Sequence, residues 1–542
     1  MSALDEQEAE HPNRIEPKSI ADPQAEGATP REPRGLAATF TRNSILSVGR
    51  VFVSAIIAFI LPSYLTHKLS VTTYAAWVLI LQVSAYVGYL EFGIQTGISK
   101  YVAEYEAKND TAGSSMRASS GLALMLIAAV SGIVLTLILA WQVPQLFNEM
   151  PASLYRDVRF SIAFVGVSLS FGLFCSTFSS IFFGLQRYAV PMMISTLNRI
   201  LYTASVLAAV ALHESLATMG ALVAVVNIVT GALQFEAWRR LAKKVRLSLS
   251  GLDLMVVKQM LAYCSTLAIW SAGMLCISGL DVTIVGKYDF GETAFYAIAV
   301  LPTTFMSAIM GAAIAPLIPT ASGLSVHRSP HQMGVVLSRA TRYASLLLLA
   351  SGLPLLVGGY WVLRFWVGAA YAMHTIGYLR ILVLANILRN MCMPYASMLV
   401  ATNSQKIAIA GVIAEATVNV TCSIYLAQHM GAIGVAYGTL LGSVVSVAAH
   451  FALNMRYTKA KFAVSRVRLF LTGLARPCAI TIPSLILVRL WWSKSAPTFG
   501  WQVGLAWGLC TLLLTWFAAL NAAERAALVR LVDRRPQPAN KL

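Results

Sequence analysis

The sequence predicts an all-α integral membrane protein of about fourteen transmembrane helices, arranged as two pseudo-symmetric six-helix lobes and a final helix pair. Four observations carry this. The 542 residues are 57% hydrophobic and only 12% charged, whereas soluble domains carry roughly 25% charged residues. Apolar runs long enough to cross a hydrocarbon layer of about 30 Å recur along the chain. Lys and Arg gather on alternate connections, and the two halves resemble each other weakly.

The elements follow in order. Residues 1–41 hold eight acidic and four basic residues, five prolines and no apolar run, so they read as a disordered acidic tail. They lack the basic start, apolar stretch and cleavage site of a signal peptide. Apolar runs then lie near 43–66, 73–98, 119–141, 160–184, 190–212, 219–238, 259–285, 293–318, 338–360, 377–400, 407–427, 432–454, 469–490 and 501–521. They are spans 1 to 14 below. Two basic linkers divide them, "RRLAKKVR" (239–246) and "RYTKAKFAVSRVR" (456–468). The expected organisation is a lobe over 42–240, a basic linker over 241–258, a second lobe over 259–456, a helix pair over 457–521 and a basic tail over 522–542.

Without the tail the chain carries a balance of +22. In a soluble protein this surplus would suggest nucleic acid; in a membrane protein the positive-inside rule takes precedence. The connections on the N-terminal side of the membrane hold 24 Lys or Arg, and the opposite ones only a few. Both termini are therefore expected in the cytoplasm, and no nucleic-acid partner is expected. No GxxxxGK[ST] phosphate loop occurs. The seven cysteines lie in apolar runs without CxxC spacing, which argues against metal sites and disulfides. No cofactor is expected. Outer connections of at most about 20 residues leave little room for an external catalytic domain.

One stretch changes solvent along its length. "YLEFGIQTGISKYVAEYEAKND" (89–110) places Glu91, Gln95 and Ser99 on one helix face, and Lys100, Glu104 and Lys108 repeat the four-residue step. It reads as one helix lining a polar cavity and then entering water. Gly93 and Gly97 form a small-xxx-small pair that admits a second helix.

The halves align at "TTYAAWVLILQVSAYVGYLEFGIQTGIS" (72–99) over "TAFYAIAVLPTTFMSAIMGAAIAPLIPTAS" (293–322), and at "TMGALVAVVN" (218–227) over "HMGAIGVAYG" (429–438). Repeats in the same orientation are a transporter plan with a site between the halves. "ILPSYLTHKLSVTTYAAWVLILQVSAYVGYLEFGIQTGISKYVAEY" (60–105), "LDVTIVGKYDFGETAFYAIA" (280–299) and "VATNSQKIAIAGVIAEATVNVTCSIYLAQHMGAIGVAYGT" (400–439) together resemble the polysaccharide flippases of the MOP exporter superfamily. That superfamily also holds multidrug and toxin extrusion proteins and the lipid II flippase. Glu91 stands where the family usually has Asp, and Lys100 takes its basic position. The resemblance implies alternating access that moves an undecaprenyl-diphosphate-linked oligosaccharide across the inner membrane, with no bond made or broken. Expected partners are that lipid-linked oligosaccharide, membrane lipids, H⁺ or Na⁺ as coupling ion, and other polysaccharide-assembly proteins.

Charges at membrane depth cost about 2.5–3.5 kcal/mol each and mark sites by default. Arg50 and Glu91 lie at equal depth on spans 1 and 2, which predicts an ion pair; Arg50 snorkelling alone is the bland alternative. Arg389 and Glu415 repeat the pattern on spans 10 and 11, as a coupling element or a purely structural pair. Arg199, about 15 Å into span 5, has no acidic residue at its depth on spans 4 and 6. With Asn198 it is a candidate diphosphate site, against bonding to carbonyls of a neighbouring helix. Arg50 and Arg389 are expected to add to the same cationic cavity. Asp281, near the outer end of span 7, is expected to cap or meet interfacial water, with gating second. Arg476 and Arg489 read as snorkelling. Pro302, Pro316 and Pro319 in span 8 are candidate hinges. A drug or metabolite antiporter of the same superfamily is the alternative function. A membrane-embedded glycosyl- or acyltransferase is a second, but it would need a polar catalytic cluster that the sequence lacks.

Overall fold

The computed structural model describes residues 56–248, 252–326, 329–479 and 481–483, with Leu513 and Arg525 as isolated positions. These residues are helical throughout, with no strand among them. Ten helices are long and apolar enough to cross a membrane, or eleven with a bent pair counted as one span. They are spans 2 to 12 of the sequence reading. Spans 1 and 13 are described in part. Span 14 except Leu513, together with Arg50, Arg489 and the acidic tail, lies outside the described residues.

Local chemistry sets the span ends. Ser70, Asp110 and Ser215 cap spans 2, 3 and 6 by accepting from the backbone N–H groups of Thr73, Gly113 and Thr218. Spans 11 (Ile409–Met430) and 12 (Ala432–Ala448) turn at Gly431, whose φ of +63° side chains rarely adopt. The Asp289 carboxylate accepts from the Ala432 N–H at 2.9 Å and so caps span 12.

Span 2 departs from the continuous helix expected of it. The helix Val71–Ala85 gives way to a 3₁₀ turn over Tyr86–Glu91, then Phe92 and Gly93 at φ +47° and +74°, before Ile94–Ala107 resumes. Glycine's low helix propensity permits the break, and span 7 occupies it. A Cβ on Gly93 would lie 2.6 Å from Leu267, and one on Gly97 3.3 Å from the Cys264 sulfur. Gly93→Ala therefore combines left-handed strain of about 1–2 kcal/mol with a steric clash. It is expected to lower the thermal midpoint of the purified protein, whereas Gly291→Ala, where nothing stands within 4 Å of the new methyl, leaves it unchanged. Equal midpoints would show that the seam is not tight. Beyond the break the helix becomes polar, with Lys108 bound to Glu104 at 2.8 Å.

Span 7 is bent by 43° between Leu254–Ser265 and Leu267–Gly279, and a π turn (Leu275–Gly279) precedes its last helix, Asp281–Tyr288. Its first half belongs to the N-terminal lobe, where Val256, Met260 and Cys264 share a core with Ile98, Val102 and Met125. Its later part packs on the C-terminal lobe, through Ile277 against Val412 and Ala416. Span 8 is also broken: Thr293–Ile314 ends before Pro316, and Leu317–Val326 follows.

The face bearing the Lys- and Arg-rich connections is called the basic face here. Toward the opposite face the lobes close on each other. One buried core runs through Tyr74 and Trp77 of span 2, Tyr296 of span 8 and Tyr371 of span 10. Trp366 stacks on Phe59 at 5.3 Å, donates its indole N–H to the Phe59 carbonyl at 2.6 Å, and accepts at its own carbonyl from Ser63. Tyr74 meets Tyr371 edge-on, and Glu149 accepts from the Phe290 N–H at 3.0 Å. Nearer the midplane Gln82 donates to the Gly279 carbonyl, and the Tyr86 and Thr283 hydroxyls bond. Trp366→Ala removes the stack and its hydrogen bond, together worth roughly 2 kcal/mol. Labelling of Ala75→Cys, at a buried position, by a membrane-impermeant thiol reagent from that side is then expected to rise roughly tenfold in a cysteine-free background. Unchanged labelling would mean that this junction does not hold the lobes shut.

Candidate functional site

Polar groups at membrane depth gather in two places, one per lobe. In the C-terminal lobe Asp281 is 6% exposed, which corrects the expectation of a capping or interfacial residue. The bend and π turn of span 7 carry it beneath span 12, where its Oδ2 accepts from the Thr439 hydroxyl at 3.0 Å. Its Oδ1 is buried without a donor. Arg389 donates from Nε to Glu415 at 2.6 Å, so the structure brings these two together. Arg389 also lies within electrostatic reach of Asp281, and its Nη2 is buried without an acceptor. Two carboxylates thus share one guanidinium, leaving one formal negative charge uncompensated when both are ionised. Amides lie around the cluster, Asn419 buried and Asn386 and Asn390 half-buried. Asn419 donates to the Ile277 carbonyl of the π turn at 3.0 Å, and Asn386 and Asn390 both donate to the Ser307 hydroxyl.

In the N-terminal lobe, span 5 (Ala189–Ala211) presents Arg199 exposed. Its guanidinium has no hydrogen-bond or ion-pair partner among the described residues, so the expected alternative of neighbouring carbonyls is not seen. Tyr202, one turn further on, lies within electrostatic reach of both Arg199 and Tyr74. Arg199 therefore sits one turn to the basic side of the lobe junction. Asn198 does not share its direction, because successive helical residues point about 100° apart. Its amide turns into the lobe and donates to Asn227 at 3.2 Å and Thr230 at 2.9 Å. Asn227 donates onward to Ser168 at 3.0 Å.

Glu91 ends the 3₁₀ turn of span 2, half-buried, with no cation at salt-bridge distance among the described residues. Its expected partner Arg50 lies outside them. Of the three candidate hinge prolines, Pro302 is inside the unbroken helix Thr293–Ile314, Pro316 stands at the break, and Pro319 lies in the helix beyond. Among the described residues no group of three or more His, Cys, Asp or Glu is placed to hold a metal.

Apart from Asn198, sequence reasoning passed over the neutral members of both clusters. Their signal is periodic: Asn227, Thr230 and Gln234 at i, i+3 and i+7, Asn386 and Asn390 at i and i+4, and Glu415, Asn419 and Ser423 at i, i+4 and i+8 each mark one helix face.

A two-lobed bundle with charged groups between and within its lobes is the plan of a helical membrane transporter. Neither family models nor curated sequences give a match to the chain. Solved structures do. A lipid II flippase MurJ in an inward closed conformation superposes with a TM-score of 0.68 at 13% identity, over 87% of this chain and 98% of that one. An inward-facing multidrug-resistance MATE transporter of the MOP superfamily gives 0.65 at 15% identity, over 76% and 96%. A MOP superfamily transporter from Pyrococcus furiosus, described as having a binding pocket of reversed polarity, gives 0.57 at 16%, over 78% and 96%. The chain has the fold of the MOP-superfamily transporters and is a multi-pass membrane protein.

Proposed function

We propose that this protein is a flippase that moves an undecaprenyl-diphosphate-linked oligosaccharide from the inner to the outer leaflet of the bacterial inner membrane, for surface polysaccharide synthesis. The basic face is cytoplasmic in this reading, as are both termini. The observation that carries it is the guanidinium of Arg199 at mid-depth, without a partner among the described residues and just below the closed lobe junction. A planar donor fork there suits a diphosphate arriving from the cytoplasm, while the polyprenyl tail stays in lipid. Arg389, expected to join this cationic site, is instead engaged by Glu415 and Asp281, so Arg50 is the one further cation proposed for the approach. Asp281 and Glu415, sharing Arg389, take H⁺ or Na⁺ to balance their excess charge, and occupancy biases the lobes between their two packings. Glu91 at the break of span 2 is a second protonatable group, and Pro316, with Pro302 and Pro319, lets span 8 flex.

Deleting the protein tests this. Accumulation of the diphosphate-linked repeat unit facing the cytoplasm, with surface glycan lost, is expected. A normal pool and normal glycan would overturn the reading. A cation-coupled antiporter is the second reading, favoured by the buried Asp281 and its unsatisfied oxygen, and the same normal pool would point to it.

A further inference from the structure

Between spans 4, 5 and 6 lies a cavity of about 190 Å³ lined by Ser168, Ser195, Asn198, Asn227, Thr230 and Gln234. Span 4 covers Ala152–Gly184 and span 6 Leu216–Leu241, so Ser168, Asn198 and Asn227 sit near mid-depth. Ser195 and Gln234 extend the cavity toward the basic face. Every polar group in the lining is a hydroxyl or a carboxamide; no Asp, Glu, Lys, Arg or His takes part. The remaining lining is Leu169, Gly172 and Gly231.

An ion would find no counter-charge here, at a depth where an unpaired charge is costly. A purely apolar ligand would strand the amides. The Gln234 carbonyl oxygen is already buried without a donor, and a buried polar atom left so costs about 1–3 kcal/mol. Asn198 and Asn227 spend their hydrogen bonds on each other, Thr230 and Ser168, which fixes their orientation and leaves the Asn198 oxygen as a free acceptor. The cavity has room for about six waters at roughly 30 Å³ each, below the roughly 300 Å³ where sites for drug-sized ligands begin. A neutral, compact, hydroxyl-rich group fits: it brings donors to the two oxygens and lays carbon–hydrogen faces on Leu169 and the glycines.

We propose that this cavity is the subsite for one neutral sugar ring, the residue joined directly to the diphosphate. This deepens the flippase reading and rests on it. Asn198 and Arg199 are consecutive, with Cα atoms about 3.8 Å apart. Although their side chains leave the helix about 100° apart, the long Arg199 side chain can hold a phosphate within one sugar's reach of this cavity, and the proposal seats the ring joined to that phosphate in it. The site is blind to acidic sugars at that position, since a carboxylate would meet only amides and hydroxyls.

Binding to the full-length protein in lipid nanodiscs tests the assignment, with two probes: polyprenyl diphosphate alone, and the same lipid carrying one neutral hexose. The hexose is expected to tighten binding about tenfold in the wild type, the worth of one or two net hydrogen bonds. Two variants remove that increment while binding bare polyprenyl diphosphate as the wild type does. Gln234→Leu deletes the unsatisfied acceptor. Gly172→Leu fills the cavity from a position where an added Cβ meets nothing within 4 Å, so the backbone there need not shift. If both lipids bind the wild type equally, or the variants keep the increment, the subsite assignment falls and the flippase reading stands. If neither lipid binds the wild type, both fall. A free methyl hexoside that binds the wild type as tightly as the hexose-bearing lipid, and loses that binding in both variants, would show that the cavity serves soluble sugars, and would overturn the assignment to the lipid-linked residue.

Discussion

Arg199→Ala is expected to reduce surface glycan export by at least tenfold at normal protein levels. The change removes a charge-assisted, bidentate contact worth about 1.5–3 kcal/mol, or roughly 10- to 100-fold. Because Arg199 is exposed and has no partner among the described residues, its loss strands no other group, and the thermal midpoint should hold. Arg199→Lys keeps the charge but loses the planar fork, so export should fall to an intermediate level. Quantifying cell-surface glycan and lipid-linked precursor in the three strains decides the matter. Full export in the alanine strain would remove Arg199 from the site.

The Arg389–Glu415 pair should behave in the opposite way. Glu415→Ala leaves a guanidinium largely out of water beside an already under-satisfied Nη2, and breaking a buried pair from one side costs about 3–5 kcal/mol. The single variant is expected to unfold at markedly lower temperature. The double variant Arg389→Met with Glu415→Leu removes both charges and should recover most of that stability. It should not recover transport, because Asp281 keeps its negative charge without the guanidinium that balanced it or the second carboxylate that shared it. Thermal unfolding in detergent and precursor accumulation in cells separate the two effects. A double variant that exports normally would reduce the pair to a purely structural feature.

Much of the architecture is readable from hydropathy alone. Eleven of the apolar runs are helices in the structure because a chain in lipid must satisfy its backbone internally, and length and polarity then fix the span. The Arg389–Glu415 contact is readable too, since two charges at matching depth on consecutive antiparallel helices have few other partners. Asp281 was misplaced for a definite reason. Counting residues from a span end assumes a straight helix, and span 7 has both a 43° bend and a π turn. The break in span 2 escaped notice likewise, because Phe92 and Gly93 are left-handed and Gly93 is packed against Leu267 of a different helix, which the local sequence does not show. Neutral amides such as Asn227 and Gln234 carry no penalty large enough to stand out in a hydropathy walk, although their helical spacing singles them out afterwards.

The divided allegiance of span 7 changes what a moving part is in this molecule. One half of a single helix shares its core with the N-terminal lobe, and the other end with the C-terminal lobe. The mechanical border therefore falls inside a helix and not at the loop where the halves join in sequence. Two spectroscopic labels on that one helix, at Gln259 and at Thr283, should change separation as the protein cycles. Labels placed on separate helices of one lobe should stay at fixed distance, so intrahelical strain would be the direct reporter of turnover.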